Sequence, residues 1–304
     1  MKNLFLATVG TIVMASSLIG QQEAQFTQYM DNMVYFNPAY AGSRDALSLS
    51  ALHRQQWVGI DGAPVTQTFS GHSPLKYESL GLGVSMLNDR VGPLNQTWLN
   101  VDFSYTLRFD NHDGRLSFGL KGGLNIVNAD FAGLDLNQVN DPSFAQNYQN
   151  EILPNLGAGI YYHSDQFFAG AGIPRMINNS PGAGDLIFDD RQHTYLMAGG
   201  YFKVNRMLKV RPSMMYKMTS GAPFAMDGTL AFIFYDKFWL GSNYRFNESI
   251  GLFAQYQISN QFKAGYAFDI TTNSLMRHNM GSHEIIMTYD FIFKNKKITS
   301  PRYF

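Results

Sequence analysis

The chain has 304 residues, with 23 Lys and Arg balanced by 23 Asp and Glu, no cysteine, and a charged fraction of only 15%. The even balance leaves no basic surplus for a nucleic-acid partner, and the missing cysteine excludes both a disulfide framework and a lipoprotein-type lipid anchor. With 24 Phe, 17 Tyr and 28 Gly, the composition suits many short strands better than helices.

Residues 1–20 read as a secretory signal: Lys2 supplies the positive start, Leu4 to Met14 the apolar stretch, and Ala15, Ser16, Ser17 and Gly20 the small residues near a cut after Gly20. The apolar run is short for a membrane anchor, and no later run is long enough for a spanning helix. Residues 21–45 carry Phe26, Tyr29, Tyr35, Phe36 and the turn-like Asn37-Pro38-Ala39, but no long alternation. This segment is expected either to fold into a barrel as a plug or to lie across its mouth as a periplasmic arm.

From residue 46 the pattern is period two. Leu99, Val101, Phe103, Tyr105, Leu107 and Phe109 share one strand face, and Asn100, Asp102, Ser104, Thr106 and Arg108 share the other. A helix would scatter such residues around its circumference, and the length matches a tilted strand crossing a bilayer. The same alternation predicts strands over 46–54, 64–72, 79–88, 95–109, 114–128, 154–164, 166–174, 191–203, 208–218, 224–236, 237–247, 249–259, 262–271 and 281–293. This is an all-β chain, a transmembrane antiparallel barrel of about 14 strands occupying residues 46–293, in the bacterial outer membrane. An even count puts both termini on one side, taken as periplasmic. Alternate connections are short, which a soluble sandwich has no reason to arrange; the turn at Asn247–Glu248 departs from that rule. Trp57, Trp98 and Trp239 lie near strand ends, where interfacial girdles form. Residues 294–304 make a basic periplasmic tail.

The lumen face is expected to carry a polar network of Asp102, Arg108, Lys121, Arg211, Lys217, Asp227, Arg245, Lys263 and Asp269, paired across the interior because an unpaired buried charge is costly. Gly81, Gly83, Gly119, Gly123, Gly157 and Gly159 leave room on that face for an inserted segment or neighbouring loops. No nucleophile elbow, zinc helix or phosphate loop is present, and no cofactor or metal site is expected. Ser70 and His72 share a strand face but read as a chance pair, and the other histidines as loop or strand-end residues. Asp130, Asp135, Asn137, Asn140 and Asp141 lack the spacing of a calcium loop. The outward loops, including Asp130, Asp135, Asn137, Asp141, Arg175, Asp189, Asp190 and Arg277, are the expected partner-binding surface.

Several patches resemble one family. Phe26-Thr-Gln-Tyr-Met, Phe36-Asn-Pro-Ala-Tyr-Ala-Gly42, Arg54-Gln-Gln-Trp57, Gly71-His-Ser-Pro74, Leu80-Gly-Leu-Gly83 with Asn88-Asp89, and Leu208-Lys-Val-Arg-Pro-Ser213 are similar to PorP/SprF proteins of the Bacteroidetes type IX secretion system. The resemblance implies a non-enzymatic outer-membrane barrel of the secretion and gliding machinery. It further implies help in secreting and anchoring a surface protein, often an adhesin bearing a type B C-terminal sorting domain, with other secretion components and outer-membrane lipid as partners. The competing reading is an outer-membrane channel for small or hydrophobic molecules.

Overall fold

The computed structural model describes residues 23–77, 79–109, 113–131, 147–179, 192–219 and 223–291. Residues 1–20 and 294–304 lie outside them, as do Asp135, Asn137, Asn140, Asp141, Asp189 and Asp190. The strands are β1 (Leu47–Gln55), β2 (Val65–Pro74), β3 (Leu80–Val91), β4 (Leu94–Arg108), β5 (Arg115–Ala129), β6 (Tyr148–His163) and β7 (Phe167–Arg175). They continue with β8 (His193–Gly200, resuming as Phe202–Lys203), β9 (Leu208–Thr219), β10 (Ala225–Phe234), β11 (Phe238–Arg245), β12 (Ser249–Gln257), β13 (Phe262–Thr271) and β14 (Ser282–Phe291). Each pairs antiparallel with the next. β14 returns to β1 from Leu47↔Phe291 to Gln55↔His283, so 14 strands close without a free edge.

Observed and expected boundaries agree within three residues, with one exception. β6 starts at Tyr148 because a bulge between Val127 and Ala129 lets Tyr148 pair with Ala129, extending the hairpin. The connection after β3 is also tighter than its neighbours on that side: only Gly92 and Pro93 separate β3 from β4.

The wall is inside out relative to a soluble sheet. On β4, Leu99, Val101, Phe103 and Tyr105 are exposed while Trp98, Asn100, Asp102 and Ser104 are buried. Leu120, Leu156 and Leu252 are 66%, 56% and 59% exposed on the same outer surface, while Asp102, Asp227 and Glu284 are 0% exposed. In water each such apolar side chain forfeits about 1.5–3 kcal/mol of burial, so this surface fits hydrocarbon. Among the described residues no helix is long and apolar enough to cross a membrane; the crossing is made by strands.

The mouth where β1 begins and β14 ends is called here the near mouth, and the opposite one the far mouth. The chain before β1 lies inside the barrel. Residues 24–41 are buried throughout, passing through a 3-10 turn (Tyr29–Asp31), α1 (Met33–Phe36) and a second 3-10 turn (Pro38–Tyr40). Phe26, Tyr35 and Phe36 meet edge to face at 5.0–5.8 Å, and Phe36 does the same with Tyr195 of β8. This small aromatic core replaces the water of an open pore. The segment leaves at the near mouth, where Arg44 reaches Asp290 at 3.5 Å and Arg115 reaches Asp45 at 3.0 Å. Its first described residue, Glu23, meets Arg175 and His193 at the far ends of β7 and β8. Glu23 therefore lies at the far mouth and Phe291, the end of β14, at the near one. Strand parity fixes where β1 begins and β14 ends, but not where a chain threaded through the lumen starts.

Candidate functional site

The barrel receives the segment through its small residues. A Cβ on Gly119 of β5 would lie 2.1 Å from Ala39 N, and one on Gly81 of β3 would lie 2.2 Å from Ala41 O. Gly159 of β6 and Gly172 of β7 meet Asn37 Oδ1 and Phe36 O just as closely, at 2.1 and 2.3 Å. Gly123 and Gly157 serve differently, with neighbouring strand backbone at 2.2 and 2.6 Å. Asn37 organises this contact. Its Oδ1 accepts from Ala39 N at 3.0 Å, capping the turn, and its Nδ2 donates to Ile160 O at 2.9 Å. Asn37→Ala should lower the unfolding free energy by about 1–2 kcal/mol, read by urea titration in vesicles, because a cap and a cross-barrel bond go together.

On the opposite wall, charges form a continuous ladder. Lys217 and Arg245 hold Asp227 at 2.8 and 2.9 Å, and Arg245 approaches Asp269 at 4.0 Å. Arg54 holds Asp269 at 2.6 Å and Glu284 at 3.0 Å. Strands β9, β10, β11, β13, β1 and β14 all contribute, so the ladder runs across the seam where β14 meets β1. The segment plugs into its end: Thr27 N and Gln28 N each donate to Glu284 at 2.8 Å, and Thr27 Oγ1 donates to Asp269 at 2.6 Å. Lower down, Lys263 pairs with Asp31 at 2.6 Å while Gln255 Nε2 donates to the other oxygen at 2.7 Å. Lys121 pairs with Asp102 at 2.6 Å and donates to Val34 O at 3.3 Å. A cavity beside Asp31, Tyr40, Arg44 and His72 measures about 10 Å³, barely one water. The fit is close.

Asp102, Lys121, Asp227, Arg245, Lys263 and Asp269 are thus brought into this interior, and Arg211 stacks over Trp239 at 4.7 Å. Arg108 is not: β4 outruns the filled lumen, leaving it exposed at the near mouth. Of the expected outward residues, Asp130 is exposed at the far end of β5 and accepts from Asn147 Nδ2 at 3.0 Å, and Arg277 is exposed in the β13–β14 connection. Arg175 is not on a loop. β7 runs one residue further than expected and turns it inward, 9% exposed and 4.4 Å from the Trp98 ring. Trp98 and Trp239 are likewise buried cation platforms instead of girdle residues, a placement their parity with Asp102 and Arg245 already signals.

Glu284, Arg54, Asp31, Glu23 and Arg44 were absent from the expected network. Arg54 and Glu284 fall on the lumen phase of their strands, which a complete parity count picks up; the other three sit on a segment without periodicity. The histidines also differ from expectation, since His72 and His163 are buried. His72 Nδ1 accepts from Gly42 N at 3.1 Å and Ser70 Oγ donates to Asn32 Oδ1 at 3.4 Å, so both hold the inserted segment. Among the described residues no three His, Asp or Glu side chains gather as metal ligands.

Comparison with known proteins accords with this geometry. A family model described as "Type IX secretion system membrane protein PorP/SprF" matches residues 18–289. No curated protein matches. Among solved structures, the CymD monoaromatic hydrocarbon channel is similar at 13% identity and a TM-score of 0.52, covering 90% of this chain and 95% of that one. Omp33, an outer membrane protein of Acinetobacter baumannii, is similar at 10% identity and a TM-score of 0.48, covering 82% of this chain and all (100%) of its own. At these identities the likeness is one of barrel fold.

Proposed function

The chain belongs to the PorP/SprF family of type IX secretion system membrane proteins, and from that premise we propose that it is a plugged platform that holds a secreted protein at the cell surface without chemically altering it. It is an outer-membrane barrel working with the secretion machinery. The observation that carries the platform reading is the burial of residues 24–41 across the lumen, with the segment's backbone and side chains bonded to strands around the barrel. An interior occupied in this way favours a working surface at the outside of a mouth. The partner in this reading is a large secreted adhesin carrying a type B C-terminal sorting domain.

The near mouth is taken as periplasmic. All of its turns are short, whereas the far mouth carries the long connections 56–64, 130–147, 176–192 and 272–281. The far-mouth loops, with Asp130 and Arg277 among their described residues, then form the docking face. Deleting residues 132–146 together with 180–191 should release the partner to the medium while heat-modifiable migration of the barrel persists. Retention of the partner in the double deletion counts against loop docking. Co-purification of the barrel with a large surface protein supports the platform as a whole.

A further inference from the structure

Around Glu23 the far half of the lumen forms a cradle for one carboxylate. Arg175 pairs with it, His193 Nδ1 lies 3.3 Å away, Tyr35 donates from its hydroxyl at 2.9 Å, and Tyr195 donates from the other side. The cradle is packed in place. Arg175 is 9% exposed, its guanidinium lies against Trp98, and it also donates to Tyr35 Oη at 3.3 Å. The Tyr195 ring packs on Phe36 at 5.0 Å. A planar guanidinium set by stacking, with two phenolic donors and an imidazole, is a built receptor for a carboxylate.

The hold on its present occupant is local. Residues 23–26 form neither helix nor strand, and the backbone anchoring to Glu284 begins only at Thr27. Glu23 and the Gln25 amide, which donates to Glu248 at 3.2 Å, tie this stretch down ahead of Phe26. Withdrawing the Glu23 carboxylate therefore leaves the Gln25 contact and the backbone anchoring from Thr27 onward in place.

We propose that the Arg175–His193–Tyr195–Tyr35 cradle is a peptide-carboxylate binding site, occupied at rest by Glu23, which a carboxylate of the docked protein takes over. This rests on the platform reading and gives the partner a chemistry: an acidic side chain or a chain-terminal carboxylate entering from the far mouth.

The test uses the full chain in nanodiscs with Glu23→Ala and three labelled pentapeptides. The first is amidated Gln-Gln-Glu-Ala-Gln, the chain's own residues 21–25; the second replaces its Glu by Gln; the third is the second with a free C-terminus. The expected result is at least tenfold tighter binding of the first than of the second, weaker binding of the first to the unaltered chain, and loss of the preference on adding Arg175→Met. Tight binding of the third extends the site to terminal carboxylates; weak binding confines it to side chains. If Arg175→Met fails to fold, Arg175→Lys, which keeps a point charge but loses the fork and the stack, should give an intermediate preference. Equal binding of the first two peptides overturns the proposal. So does a folded Arg175 variant that discriminates as well as its parent. Peptide discrimination with the partner still retained after loop deletion leaves this site standing while loop docking fails; equal peptide binding with release of the partner does the reverse.

Discussion

Asp227→Ala should destabilise the barrel by about 3–5 kcal/mol in equilibrium urea unfolding from vesicles, the cost of leaving a buried charge pair broken. Asp227 is fully buried and serves Lys217 and Arg245 together, so its loss takes the paired carboxylate from Lys217 and leaves Arg245 with Glu248 at 3.5 Å and Asp269 at 4.0 Å. The damage spreads along the ladder, because Arg245 also faces Asp269, which steadies Arg54 across the closing seam. Replacing all three by neutral groups of similar bulk, as Asp227→Leu with Lys217→Met and Arg245→Met, should recover much of the loss, since desolvation of the ions disappears with their attraction. A single variant within about 1 kcal/mol of the parent would mean that water reaches the ladder and screens it.

Gly119→Leu should unseat the inserted segment while leaving the strands paired. The new side chain meets the backbone of Pro38 and Ala39 within 2.5 Å, and backbone cannot swing aside as a flexible side chain can. β5 itself accepts a leucine, because its neighbours β4 and β6 stay in register on either side. The expected outcome is a heat-modifiable barrel in which the bond after Arg44 becomes cleavable by trypsin from the near mouth. A variant as resistant as the parent would show that the segment shifts within the lumen without leaving it.

The barrel was legible because its code is local: a residue such as Asp102 between Val101 and Phe103 declares its face without knowledge of distant partners. Lumen charges on well-phased strands, Lys121, Asp227 and Arg245 among them, could be named for the same reason. Arg175 and Arg108 were misplaced because they sit at strand ends, where one residue more or less turns a side chain inward or carries it past the mouth. The inserted segment was harder. Its residues obey no period, and its stability lies in contacts such as Thr27 with Glu284 and Asn37 with Ile160, separated by 257 and 123 positions. The glycines facing it were visible as a set, but their occupant could not be read from one strand at a time.

Conductance of the purified full-length chain in planar bilayers bears most directly on the plugged platform. The account predicts no steady current from the intact protein, with ohmic openings in Gly119→Leu once the segment is displaced. Steady open channels from the unaltered chain would contradict it and return the barrel to the class of pores.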